Sequence, residues 1–265
     1  MSLLHASAQL RALRAAAVLA FLSNAFDGFI VFTLIVQPLV IALLGLWILQ
    51  GTAEDYGIYV VVGSGLTGLW SGLLFISGNS ITSERWTGTL EMIAALPTPL
   101  PVITLGKTIA NVLQSLVSMI GAYLLASLLL ETPLRVSQPL LFAVSLVLMV
   151  FAFVSLGMVM APLFITNPDV QRWQNAIEFP VYILAGFLFP VLLLPTWTTP
   201  LSYLLSPYWA AVALHETSSG KGDPATVATA WAAMILLSVG YLFLSRFLFR
   251  VLLRRARQEG TLGLE

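Results

Sequence analysis

The sequence contains no cysteine, only two histidines and few charges: 12 Lys and Arg against 12 Asp and Glu in 265 residues. Without cysteine there are no disulfides, no thiolate metal sites and no cysteine nucleophile. The histidines, His5 and His215, fall on opposite sides of the topology derived below. That separation leaves no shared histidine metal cluster or acid–base pair, which counts against intramembrane hydrolysis. With 58% hydrophobic and 9% charged residues and a mean hydropathy of +0.94, the chain has too little polar surface to cover a water-soluble body of this size. Its main solvent is expected to be lipid.

Apolar runs long enough for a hydrocarbon core of about 30 Å occur at Gly28 to Leu49, Ile58 to Ile81, Thr108 to Leu130 and Leu140 to Ile165. A fifth, Ala176 to Leu194, is interrupted by Glu178, Pro180 and Pro190, and a sixth runs from Thr226 to Phe249. Interruptions of that kind are tolerated where protein or a wet cavity satisfies the freed backbone, so the fifth belongs at the core of the bundle. The expected fold is all-α and polytopic, a single membrane domain over residues 1–265 with six spans between 28 and 249. Six spans leave both termini on one side. With the termini cytoplasmic, Arg11, Arg14, Arg85, Lys107, Arg172, Arg246, Arg250, Arg254, Arg255 and Arg257 lie inside, against Arg135 and Lys221 outside, as the positive-inside rule requires. The outer loops carry Glu54, Asp55, Glu131, Glu216 and Asp223 instead.

Three segments are not expected to span. In 1–24, Leu10, Leu13, Ala17 and Phe21 share one helical face and Ser7, Arg11 and Arg14 another, which suits a helix lying in the cytoplasmic interface; a frayed tail is the alternative. No small-residue cleavage site follows a short apolar core there, so this segment does not read as a removable signal. Ser83 to Gly106 reads as a cytoplasmic loop in which Thr87 to Ala95 can form a short helix before Pro97, Pro99 and Pro101 stop it. Pro195 to Leu214 is too apolar for an ordinary loop and too broken by Pro200 and Pro207 to span, so half-inserted or interfacial helices are expected outside, between spans five and six. The tail, 250–265, is basic. Its stripe of Arg246, Arg250, Arg254 and Arg257 is read first as an anchor to lipid phosphates, with a partner site as the alternative.

Little in the chain suggests its own energy source. Gly106-Lys107-Thr108 superficially suits a phosphate-binding loop, but that loop needs a glycine where Pro101 stands. Ser64, Gly68 and Gly72 recur every fourth residue on the second span and permit close helix approach, within one bundle or at a dimer seam.

Two motifs then carry a family resemblance. Ser83-Glu84-Arg85-Trp86-Thr87-Gly88-Thr89-Leu90-Glu91, followed by Pro97 and Leu105-Gly106-Lys107, resembles the loop after the second span in ABC-2 type transporter permeases. Ala185-Gly186-Phe187-Leu188-Phe189-Pro190, then Leu194-Pro195, Trp197 and Pro207, is similar to that family's motif at the end of span five. The resemblance covers essentially the whole chain. It implies a permease that pairs with a second copy or a similar permease, each docking a separate cytoplasmic ABC ATPase subunit, in a bacterial or archaeal inner membrane. It also implies that Ser83, Glu84, Arg85, Gly88, Thr89 and Glu91 couple to the ATPase. The chain itself then binds no cofactor and catalyses nothing; ATP and Mg belong to the ATPase partner, lipids are the other partner, and nucleic acid is not one. Apart from the resemblance, Glu84, Arg85 and Glu91 read as a solvated loop.

For the translocation path, helix breakers coincide with Phe187, Phe189, Trp197 and Tyr203, which suggests an outer gate; anchoring at the lipid interface is the rival reading. Glu178 lies nearer the cytoplasmic mouth, as a path-lining group or as an interfacial carboxylate near a helix start. The apolar outer segment suits an amphipathic or hydrophobic substrate. The alternatives are an ion-gradient-driven transporter, which would normally carry several mid-membrane ionisable groups, and a non-transporting structural subunit.

Overall fold

The computed structural model describes residues 2–49, 56–129, 136–165, 169–189, 191–220 and 222–259. Among them every regular element is a helix. In chain order these are α1 (Ser2–Phe26), α2 (Gly28–Ile48), α3 (Tyr56–Ser80), α4 (Thr82–Trp86), α5 (Leu90–Ala94), α6 (Leu100–Leu129), α7 (Pro139–Ile165), α8 (Val170–Leu184), α9 (Thr199–Tyr203), α10 (Ser206–Ser219) and α11 (Pro224–Glu259). Five of them, α2, α3, α6, α7 and α11, are long and apolar enough to cross a membrane. The expected outer charges Glu54, Asp55, Glu131, Arg135 and Lys221 lie outside the described residues, as does Pro190.

Helix α3 forms the centre of the bundle. Leu66, Leu69, Trp70, Leu73 and Leu74 are all essentially inaccessible and pack with Phe153, Met149, Leu214 and Met234 from α7, α10 and α11. Lipid tails are as apolar as these side chains, so cohesion has to come from close packing rather than from the hydrophobic effect. Small residues supply it. A Cβ at Gly65 would lie 2.8 Å from Met119, and one at Gly72 would lie 2.5 Å from Leu34 and 2.6 Å from the Ser115 hydroxyl. Of the small-residue pattern Ser64, Gly68 and Gly72, Gly72 thus seats α2 and α6 within one bundle, and Gly65, outside that pattern, adds a second close approach to α6. Large apolar side chains such as Leu128, Leu140, Leu236 and Phe243 face outward instead, as they do where lipid is the solvent.

Helix α1 leaves Leu10 and Phe21 of its apolar face outward. It packs on α6 through Ala16, Ala20 and Asn24. The Leu13 carbonyl would stand only 2.4 Å from a Cβ at Gly106. Small residues make the protein contact and large ones are left for the surroundings, the reverse of a soluble amphipathic helix. At its end Asp27 caps α2, its carboxylate accepting from Phe29 N at 2.9 Å and Ile30 N at 3.1 Å.

The third span begins at Leu100 rather than Thr108, because Pro101 fits the first turn, where its missing N–H costs nothing. The fifth segment differs more. Its helix, α8, starts at Val170 and ends at Leu184, 15 residues or about 22 Å long. Gly186, at φ +66°, turns the chain out of the helix, a conformation that favours glycine. Gln174 bonds Asn79, and Phe187 meets Gly63, so the segment runs antiparallel to α3 along roughly 24 Å of its length. Beyond it, Tyr241 Oη donates to the Leu204 carbonyl at 2.8 Å, 17 residues into α11, and Ser137 N donates to Ser218 O at 3.1 Å beside the start of α7. The chain therefore dips inward to Leu204 and returns through α10. That is the half-inserted geometry expected of Pro195 to Leu214.

Candidate functional site

The segment after α3 does not form one short helix. Gly88, at φ +73°, breaks it into α4 and α5, and the two are closed on each other by Thr89 N donating to Glu84 O at 2.9 Å. Glu84 organises the segment. Its carboxylate pairs with the Lys107 ammonium of α6 and accepts from the Thr89 hydroxyl. Lys107 also donates to Ser80 O at 3.3 Å, at the end of α3, and Arg85 Nη1 donates to Ile165 O at 3.2 Å, at the end of α7. Burial pulls the Glu84 carboxyl up, but the hydrogen bonds from Lys107 and Thr89, with the Lys107 charge, hold it below its ordinary value. Three spans are thus fastened to a segment of a dozen residues.

The two sides of this segment differ. Leu90 is buried with Ile81, Leu100, Met158 and Phe249, whereas Trp86, Met92 and Leu96 are exposed. Ser83 is also exposed, donating to Ser80 O at 3.4 Å. The Glu91 side chain lies outside the described residues. Lys107, which the sequence offered as a false phosphate-loop match and as the end of the resembling motif, is the residue that joins the segment to the bundle.

Glu178 is buried, 6% exposed, and is held by three helices. Its Oε1 accepts from Ser71 Oγ at 2.8 Å, from Tyr182 Oη at 2.8 Å and from Gln37 Nε2 at 3.4 Å. Ser71 stands directly before a π-helical turn in α3, Gly72–Ser77, and Gln37 directly after one in α2, Phe32–Val36. Such turns concentrate where helices serve function. The Tyr182 ring continues to Phe187 at 6.1 Å between centroids. Phe187 is fully buried, and its carbonyl would be 2.1 Å from a Cβ at Gly63.

The remaining aromatic candidates are placed apart from this cluster. Phe189 is half-buried, Trp197 is exposed, and Tyr203 is half-exposed in a cluster with Tyr208 and Trp209. A cavity of about 380 Å³ lies between this reentrant segment and α3, lined by Tyr59, Tyr203, Tyr208 and His215 among others.

One polar network was not foreseen. Asn24 of α1 donates to Asn111 at 2.7 Å and to Gln114 at 2.8 Å, and Asn111 donates to Ser77 Oγ at 3.1 Å. Gln114 donates on to Phe21 O at 2.9 Å. The available signal was Asn111 and Gln114, a one-turn pair of amides inside an otherwise apolar run, where an unsatisfied amide would be costly.

Two comparisons bear on these arrangements. A family model described as ABC-2 type transporter matches residues 8–217, which include the segment after α3, Glu178 and the reentrant helices. None of the curated proteins compared with the chain matches it.

Proposed function

The chain belongs to the ABC-2 type transporter family and is a permease component of an ABC transporter, and from that premise we propose that it is the membrane-spanning subunit of an ATP-driven exporter. It works as a pair with a second copy or a similar permease. Each docks a separate cytoplasmic ATPase subunit that holds ATP and Mg, in an inner membrane with both termini cytoplasmic. The distribution of Lys and Arg, ten against two, supports this orientation.

One observation carries the reading: a short two-helix segment, exposed on one side and tied to three spans on the other through Glu84, Lys107 and Arg85. Such a segment transmits displacement because its bonds end on rigid helices rather than on loops. Ser83, Glu84, Arg85, Gly88, Thr89 and Glu91 form the coupling element in this reading, and exposed Trp86 and Met92 supply apolar area for the ATPase. The outer path runs beside Phe189, Trp197 and Tyr203. Phe187 and Glu178, both buried, position the wall behind them.

The deciding experiment reconstitutes the chain with an ATPase subunit that co-purifies with it and follows ATP hydrolysis and substrate export together. Lys107→Met should leave assembly intact and break the proportion between hydrolysis and export. Hydrolysis by the chain alone, or unchanged coupling in Lys107→Met, would remove the proposal.

A further inference from the structure

A cavity of about 550 Å³ opens at the cytoplasmic end of the bundle, between α1, the start of α2, the end of α3 and α4. Its size falls within the range of small-molecule sites. The apolar wall is aromatic: Phe29 and Phe75 meet edge to face with centroids 6.4 Å apart, and exposed Trp86 stands on the cytoplasmic side. Three ionisable groups line it, Asp27, Glu84 and Lys107.

Their pairing is unequal. Lys107 is consumed by Glu84 and the Ser80 carbonyl. Asp27 caps α2 through one oxygen only, Oδ1, and has no ion-pair partner among the described residues. Two carboxylates against one ammonium leave the cavity with one uncompensated negative charge, bounded by aromatic faces that themselves attract cations. An anion would meet repulsion here, and a neutral molecule could gain a hydrogen bond from the carboxylate but no charge pairing.

We propose that this cavity is a loading site for amphipathic organic cations, with the charge at Asp27 and the apolar body against Phe29, Phe75 and Trp86. The exposed rim reaches from Phe29 on a span to Trp86 on the coupling segment, so an amphiphile partitioned into the inner leaflet enters without leaving its interface. Glu84 and Lys107 belong to the cavity wall and to the coupling segment alike, so occupancy is felt where the ATPase docks. That last link rests on the exporter reading; binding itself does not.

Tetraphenylphosphonium and tetraphenylborate share size and shape and differ in sign, which makes them the appropriate probes. Binding to the full chain in lipid nanodiscs is measured by equilibrium dialysis, with each probe corrected against empty discs. The cation should bind saturably, and Asp27→Asn, which keeps the helix cap, should weaken it about tenfold while leaving the anion no weaker. Phe75→Leu should weaken the cation as well. Equal affinity for both probes, or an unchanged cation affinity in Asp27→Asn, overturns the site. Because the assay contains no ATPase, a positive result stands even if energised export fails, and a negative one leaves the exporter reading untouched.

Discussion

Glu84 and Lys107 form an ion pair across 23 positions of sequence, joining the segment after the second span to the third span. The carboxyl is held below its ordinary range. The stability it contributes is therefore complete above the range of an unfolded carboxylate and is lost as pH falls through the lowered folded value. Thermal unfolding of wild type and Glu84→Gln should differ most near neutral pH, and the gap should close in acid. A gap that does not change with pH would show that the pair adds nothing.

Gly88 has open space where a Cβ would stand but a left-handed backbone. Gly88→Val should cost roughly 1–2 kcal/mol from conformation alone and lower export without displacing a neighbour. Gly88→Asn, which tolerates this conformation, should retain most export. Equal export in both variants would mean that the break between the two short helices is unimportant.

Phe187 and Gly63 meet through the backbone. Phe187→Ala should destabilise by about 3–5 kcal/mol and Gly63→Ala by about 1–3 kcal/mol, read as lowered Tm. Phe189→Ala and Trp197→Ala should leave Tm close to wild type and change transport or leak instead. The opposite pattern, with Phe187→Ala stable and leaky, would make Phe187 part of the gate.

Glu178 satisfies two hydroxyls and an amide. Glu178→Ala removes the acceptor shared by these groups, leaving the Ser71 and Tyr182 hydroxyls only each other, and should cost about 1–3 kcal/mol. Glu178→Gln keeps an acceptor and should fold near normally. If Gln also abolishes export while folding is intact, the carboxylate itself takes part in transport.

The absence of cysteine makes topology accessible to single-cysteine labelling. Cysteines at Asp55, Arg135 and Lys221 should react with an impermeant reagent from outside, and those at Thr98 and Gln258 should not. Outside labelling at Thr98 would place the coupling segment on the wrong face.

The long uniform spans were legible in the sequence because hydropathy over some 20 residues is a sum, insensitive to what each residue touches. Leu140 to Ile165 and Gly28 to Leu49 fall almost where their helices do. The motif around Glu84 stood out only through its resemblance to the ABC-2 family, since by residue type alone Glu84, Arg85 and Glu91 read as a solvated loop. The face by which α1 meets the bundle was not legible because periodicity reports polarity, whereas in lipid the protein-facing side is marked by small residues such as Ala16 and Ala20.

The sequence by itself determined that this chain lives in a membrane and where its charges and breakers stand, which follow from local composition; it offered six spans where the described residues hold five helices long enough to cross. Only the tertiary structure decided that Lys107 closes on Glu84, that Asn24 finds Asn111 and Gln114, and that Glu178 is shared by three helices. Those partners are separated by 4 to 141 residues along the chain. Their pairing is fixed by the packing angle and depth of neighbouring helices, to which local composition is blind.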